Sequence, residues 1–126
     1  MRKVMVFGTF DGLHEGHRAF LREAGAHGDY LIAVIPEDRM VERLKGHLPK
    51  LNLAERFDNL KKEDGVDEIV TSGEAPGTWD VVKKYKPEVI AVGYDQYALK
   101  ENLENHLDDL GYTPEVKVMH NYEKNA

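Results

Sequence analysis

Two histidines three positions apart, His14 and His17, are the residues of this sequence best placed to do chemistry. Both lie in the second half of the decapeptide Gly-Thr-Phe-Asp-Gly-Leu-His-Glu-Gly-His, which spans residues 8–17. A short apolar run precedes it and a helical pattern follows it, so we predict a strand, a glycine-containing turn and a helix start. The turn exposes backbone N–H groups, and the helix adds unpaired N-terminal donors and the positive end of its dipole. The sequence therefore predicts an anion site, and phosphate suits it best.

The two common phosphate-binding loops are absent from the sequence. There is no G-x-x-x-x-G-K followed by Ser or Thr, and Gly8, Gly12 and Gly16 are spaced by four, so they do not form G-x-G-x-x-G. A transition-metal site on His14 and His17 is a rival interpretation. It ranks lower because the sequence offers no obvious third ligand.

The decapeptide resembles the signature of the nucleotidylyltransferase superfamily, G-x-F-D-x-x-H-x-G-H. That superfamily includes glycerol-3-phosphate cytidylyltransferases, phosphopantetheine adenylyltransferases and archaeal-type FAD synthetases. The resemblance implies that the two histidines bind a triphosphate and stabilise the charge on leaving pyrophosphate, without a covalent enzyme intermediate. It also implies magnesium, held mostly by the triphosphate and water. The nucleotide-binding residues expected in this turn are Gly8, Thr9, Phe10, Asp11, His14, Glu15, Gly16 and His17.

A second motif, Gly93-Tyr94-Asp95-Gln96, follows a predicted buried strand. A carboxylate and an amide at this point could bind a ribose or a base edge, whereas an ordinary strand-to-helix turn would use Asp95 as a cap. The combination Val-x-Gly-Tyr-Asp-Gln resembles the archaeal-type FAD synthetases, while cytidylyltransferases tend to carry Gly-Asp-Asp or Gly-Asp-Glu there. We therefore predict that Gly93, Asp95 and Gln96 contact the nucleotide.

Three further residues have a functional and an ordinary interpretation. Lys45 follows a short predicted helix, where relatives carry a basic residue near the phosphates, so we expect it to assist catalysis; the alternative is a solvated lysine. Arg56 matches a family arginine and is expected at the nucleotide; the alternative is a surface arginine that pairs with Glu55 or Asp58. Asp11 precedes a glycine and is either functional or an Asx-turn residue.

Strand and helix patterns alternate along the chain. Strands are predicted at 4–7, 30–35, 68–71, 88–92 and 115–119, and helices at 16–24, 37–44, 53–62, 79–85 and 100–110. Short apolar strands separated by helices predict an α/β, Rossmann-like five-stranded parallel sheet with helices on both faces. In the order 3-2-1-4-5 the first and fourth strands are neighbours, so both motifs should lie in one crevice at the carboxyl edge of the sheet.

Local signals indicate how some of these helices begin. Asn52, with Glu55 three residues on, predicts a capping box for the third helix, and Thr78 is expected to cap the fourth. The aromatic side chains expected in the core are Tyr30, Trp79 and Tyr85.

Composition limits the class of protein. The length of 126 residues predicts one domain over 1–126, and a net charge of −6 argues against a nucleic-acid partner. Without cysteine, a disulfide framework and a thiolate metal site are excluded. No apolar run approaches the length of a membrane span, so we expect a cytoplasmic protein without a membrane partner. The resemblance implies a homodimer.

These observations predict transfer of NMP from an NTP to a phosphorylated acceptor, with ATP and FMN as substrates and FAD as product. The alternative within this class is CTP with glycerol 3-phosphate or a similar phospho-alcohol. The alternative from another class is a nucleotide-binding module without turnover. Relatives continue past the last strand into a segment of the type Ile-Ser-(Ser/Thr)-(Ser/Thr) that contacts the nucleotide. We expect that segment to be shortened or missing here, with Tyr122 partly replacing it.

Overall fold

The computed structural model describes residues 1–72 and 79–120. Its strands are β1 (Lys3–Phe7), β2 (Tyr30–Ile35), β3 (Glu68–Thr71), β4 (Val89–Val92) and β5 (Glu115–Val118). Its helices are α1 (Glu15–Gly25), α2 (Asp38–Lys45), α3 (Leu53–Lys61), α4 (Asp80–Tyr85) and α5 (Tyr97–Asn105), with a 3₁₀ turn at Leu107–Asp109.

The strands form one parallel sheet in the order β3-β2-β1-β4-β5, which confirms the predicted order. The central strands are buried on both faces, as expected where helices cover both sides of a parallel sheet. In β1, Val4 and Val6 pack on one face with Leu21 of α1 and Leu60 of α3. Met5 points to the other face, where a second apolar cluster includes side chains of α4 and α5.

Most predicted boundaries agree with the structure within one or two residues, and α5 is the exception. It begins at Tyr97, three residues before the predicted start, and ends at Asn105. The cause of the early end is His106: its backbone N–H donates to the Leu103 carbonyl in a tighter turn, while its Nδ1 lies 2.7 Å from the Asn102 carbonyl. The chain then continues as the 3₁₀ turn.

The predicted caps have different outcomes. Asn52 and Glu55 form the expected capping box at α3. Thr78 lies outside the described residues, and Trp79 precedes α4 instead of opening it, because its backbone lies in the left-handed region at φ 57°. Trp79 is buried as predicted, whereas Tyr30 and Tyr85 are only partly buried against the same cluster.

Candidate active site

A cavity of about 990 Å³ opens at the carboxyl edge of the sheet, beside the ends of β1 and β4. This is where the strand order reverses, which is the usual ligand position in such sheets. Its volume is at the upper end of the range for small-molecule sites. The predicted site residues that line it are Gly8, Thr9, Phe10, Asp11, His14, Gly16, His17, Lys45, Gly93, Asp95 and Gln96.

His14 and His17 form a reciprocal capping box at the start of α1. His14 Nδ1 accepts hydrogen bonds from the N–H groups of Gly16 (3.0 Å) and His17 (3.4 Å), and His17 Nδ1 accepts from the His14 N–H (3.4 Å). A ring nitrogen that accepts carries no proton, so we assign the proton of each imidazole to Nε2. The rings stack with centroids 3.8 Å apart and an interplanar angle of 23°. Two N–H donors are thus held side by side at the cavity.

This box corrects part of the anion-site prediction. The sequence predicts that unpaired N–H groups at the start of the helix face the anion, but those of Gly16 and His17 are capped by His14. In the described part of the chain, the N–H groups of Thr9 and Phe10 make no hydrogen bond to the protein, and both residues line the cavity. Two backbone donors at the cavity therefore lie in the turn before the helix.

Phe10 fixes the shape of that turn. Its backbone is left-handed (φ 50°), which is strained for an aromatic residue, yet its side chain is only 3% exposed. The ring packs edge-on against His17, with centroids 5.3 Å apart. A Cβ at Gly8 would come within 2.8 Å of the same ring, so position 8 has no room for a side chain. Gly8 and Phe10 together hold His17 in place.

Asp11 is neither an Asx-turn residue nor a free carboxylate. Its two oxygens accept the N–H groups of Lys50 (2.7 Å) and Leu51 (2.8 Å), which fastens the loop after α2 to the turn after β1. Burial opposes the charged form, but these two donors and the charges of Arg56 and Lys45 outweigh it. The pKa of the Asp11 carboxyl is therefore lowered. The negative charge of Asp11 is part of how the turn is held.

Arg56 is fully buried, so the alternative of a surface arginine paired with Glu55 or Asp58 is wrong. Its guanidinium donates to the Asp38 carboxylate at 2.7 Å, and to the carbonyls of Leu51 at 3.1 Å and Thr9 at 3.3 Å. In this position it supports the wall of the cavity from behind and does not line it. Direct contact between Arg56 and a nucleotide stays a prediction.

Lys45 and Glu15 differ in their relation to the cavity. Lys45 is the last residue of α2, is exposed, and lines the cavity with its positive charge. Glu15 is exposed on the first turn of α1, does not line the cavity, and pairs with Arg18 at 3.3 Å. Tyr122 lies outside the described residues.

The turn after β4 forms the opposite wall. Gln96 Oε1 accepts the Gly93 N–H at 2.7 Å, and Gln96 Nε2 donates to the Phe7 carbonyl at 2.8 Å. Asp95 is exposed at the cavity, and the alternative in which it caps α5 is wrong, since Gln96 occupies the N-cap position. A side-chain Cβ at Gly93 would lie 3.1 Å from the Asp95 carboxylate, so a larger residue at position 93 would require that carboxylate to shift.

Several cavity residues were missed by sequence reasoning. The Trp79 indole packs edge-on against Phe7 at 5.4 Å and donates to the Asn102 side chain at 2.7 Å. No local pattern pointed to these contacts. His120 also lines the cavity, and its Nδ1 lies 2.6 Å from the Glu23 carboxylate. It directly follows the predicted last strand, so the rule that placed the other two motifs at the carboxyl edge would have found it.

Among residues 1–72 and 79–120, no three His, Asp or Glu side chains are grouped so as to hold a metal ion. Over the same residues, no helix has the length and apolar character needed to cross a membrane.

The family described as Cytidylyltransferase-like matches residues 5–123, which include both motifs at the cavity. The chain belongs to this family. The resemblance drawn from the decapeptide is thereby confirmed, and the protein is an enzyme of the nucleotidyltransferase type.

Two relatives named FAD synthase are similar to this chain over most of its length. The FAD synthase of Pyrococcus horikoshii is 39% identical over 115 residues, covering 90% of this chain and 77% of the relative. The FAD synthase of Ferroglobus placidus is 37% identical over 118 residues, covering 92% and 74%.

Solved structures share the fold. A crystal structure of a lipopolysaccharide core biosynthesis protein from Thermoplasma volcanium has a TM-score of 0.87 and 30% identity, covering 97% of this chain and 98% of the other. A pantoate-beta-alanine ligase from Francisella tularensis has a TM-score of 0.67 at 15% identity, covering 94% and 58%; this likeness concerns the fold alone.

Proposed function

We propose that this protein transfers the adenylyl group of ATP to FMN, producing FAD and pyrophosphate. A phosphate oxygen of FMN forms a bond to the α-phosphorus of ATP, and the bond from that phosphorus to the bridging oxygen of the β-phosphate breaks. The observation that carries the proposal is the histidine pair, whose reciprocal capping holds two Nε2–H donors beside each other at the cavity. The acceptor is inferred from relatives named FAD synthase.

The roles follow from where negative charge moves. The attacking phosphate is already an anion, so the reaction needs positioning and charge stabilisation more than a strong base. In this proposal His14 and His17 stabilise charge that develops on the leaving pyrophosphate. Lys45, exposed at the cavity, neutralises the triphosphate, and the N–H groups of Thr9 and Phe10 bind its oxygens.

Magnesium enters this proposal with the triphosphate. Mg²⁺ keeps most of its water and binds phosphate oxygens, so it needs no cage of protein ligands. The Asp80 and Asp95 carboxylates line the cavity, and in this proposal they would accept hydrogen bonds from water around such an ion. When bound, the ion would neutralise charge on the β- and γ-phosphates.

The apolar part of the cavity supports a flat ring as part of the substrates. Phe7, Met40, Trp79 and Leu99 line it, and a phospho-alcohol such as glycerol 3-phosphate offers no apolar surface to cover them. The base of either nucleotide can cover part of this apolar surface, and FMN would bring a second flat ring to it, whereas glycerol 3-phosphate would not. The homodimer and the cytoplasmic location stay predictions.

The test is pyrophosphate release in four mixtures, each of ATP or CTP with FMN or glycerol 3-phosphate, in the presence of Mg²⁺. We expect release with ATP and FMN, together with FAD. Release only with CTP and glycerol 3-phosphate would assign the protein to the cytidylyltransferases. No release in any mixture, with nucleotide binding intact, would favour a binding module without turnover.

A further inference from the structure

At the carboxyl edge of the sheet, β1 and β4 are the one described pair of neighbouring strands whose pairing stops before either strand ends, and this gap lies at the cavity. Phe7, the last residue of β1, pairs with Val34, and Val92, the last residue of β4, pairs with Val118. Phe7 and Val92 do not pair with each other, although Val6 and Ala91 immediately before them do. The two central strands therefore separate one residue before their ends.

The Gln96 side chain occupies the position of the missing ladder bond. The Gly8 N–H donates to β2, so the Phe7 carbonyl before it points towards β4. In this register the next parallel bond would run from the Gly93 N–H to the Phe7 carbonyl. Both groups instead bind the Gln96 amide, at 2.7 Å and 2.8 Å. Both backbone groups are satisfied, and the strands stay apart by the width of an amide.

We propose that Gln96 is a positioning residue, inserted between β1 and β4, whose amide sets the width of the crevice that receives the nucleotide. This rests on the proposed function only in naming the nucleotide. The insertion needs one acceptor and one donor on the same side chain, and glutamine supplies both. A carboxylate supplies only acceptors and would face the Phe7 carbonyl oxygen.

The test compares ATP·Mg²⁺ binding by calorimetry for the wild type, Gln96→Glu and Gln96→Met. A protonated carboxylic acid has an acceptor and a donor, so Gln96→Glu should regain the bridge as the pH falls. We expect its affinity to be about tenfold weaker than wild type at about pH 8 and within about threefold at about pH 4.3, where an ordinary glutamate side chain is half protonated. Gln96→Met has similar length without either bond, and we expect about tenfold weaker binding at both pH values.

Dividing the ATP affinity of each variant by that of the wild type at the same pH cancels the effect of the titration of ATP itself. Asn105→Asp, at the exposed end of α5, is the matched control for an added carboxylate, and its ratio should stay near one. Near-UV circular dichroism verifies the fold of each variant, and Gln96→Met decides the test if the charged variant does not fold at high pH. Wild-type affinity in Gln96→Met, or a Gln96→Glu ratio that does not change with pH, would overturn the proposal.

Failure of the proposed function would give a different result from failure of the proposal about Gln96. A wild type that binds ATP but makes no FAD from FMN contradicts the proposed reaction, while the comparison of the Gln96 variants still decides the role of the amide. A wild type that binds neither ATP nor CTP contradicts both.

Discussion

The turns after β1 and β4 face each other across the cavity, yet they are held by different chemistry. The turn after β1 is held by charges: Asp11 binds two backbone N–H groups, and buried Arg56 joins the Thr9 carbonyl to Asp38. The turn after β4 is held by the neutral amide of Gln96. The first wall of the cavity, formed by the turn after β1, therefore depends on the ionisation of its side chains. The second wall, formed by the turn after β4, depends on hydrogen bonds between neutral groups.

This difference matches what each wall has to do in the proposed reaction. The turn after β1 must keep its donors still while negative charge moves from one phosphate to another, and fixed charges behind it resist rearrangement. The turn after β4 has to keep a set distance from β1. Substitutions in the two walls should therefore have different effects.

Removing either histidine of the pair should have the largest effect. We expect His14→Ala and His17→Ala each to lower kcat by about 10²-fold or more, with a smaller change in KM, because the donors act on charge formed in the transition state. Steady-state kinetics of pyrophosphate release measures this. His27→Ala is the matched control, since His27 does not line the cavity. Near-wild-type turnover in both folded variants would show that the two histidines do not stabilise the transition state.

Among substitutions of the residues that support the turn after β1, Arg56→Met should lower the stability of the protein most. It leaves the carbonyls of Thr9 and Leu51 without their donor and Asp38 without its partner. Because the Asp38 side chain is 37% exposed, water can replace part of the lost interaction. We expect the free energy of unfolding to fall by about 2–3 kcal/mol in urea titrations. Arg39→Met, at an exposed position of α2, should change it little.

Asp11→Asn tests the dependence of the first wall on charge. The pKa of Asp11 is lowered by folding, so its contribution is present above the ordinary value of 3.8 and is lost as the pH falls through the folded pKa. We expect the variant to be about 1 kcal/mol less stable at neutral pH, since one of two N–H donors loses its acceptor.

Urea unfolding of both proteins across the acid range checks this, with Asp58→Asn, at an exposed position of α3, as control. The difference between wild type and Asp11→Asn should vanish below the folded pKa. A difference that persists at low pH would show that the Asp11 charge is not what holds the loop.

Asp95→Ala should have the smallest effect. Asp95 is exposed at the cavity, so we expect unchanged unfolding and a loss of about 0.5–1.5 kcal/mol in ATP affinity, measured by calorimetry. Asp108→Ala, in the 3₁₀ turn, is the control. Unchanged affinity for ATP and CTP would leave Asp95 without a part in nucleotide binding.

The sequence predicted the sheet order and the meeting of both motifs because these depend on short apolar runs and on the handedness of crossovers. It also placed Asn52 and Glu55 in a capping box, since both partners lie within one helical turn. Arg56 and Asp38 are eighteen positions apart on different helices, and nothing local marks them as partners. The hydrogen bond from Gln96 to Phe7 joins residues 89 positions apart, so no local sequence pattern indicates it, and it depends on the register of β1 and β4.

The central claim is that the cavity carries attack of FMN on the α-phosphorus of ATP. The most direct measurement supplies FMN and Mg²⁺ with ATP labelled at either the α- or the γ-phosphorus and follows both labels. We predict that the α label appears in FAD, the γ label appears in pyrophosphate, and neither stays on the protein. The γ label in a product of FMN, an α label that never reaches FAD, or a labelled protein would contradict the account.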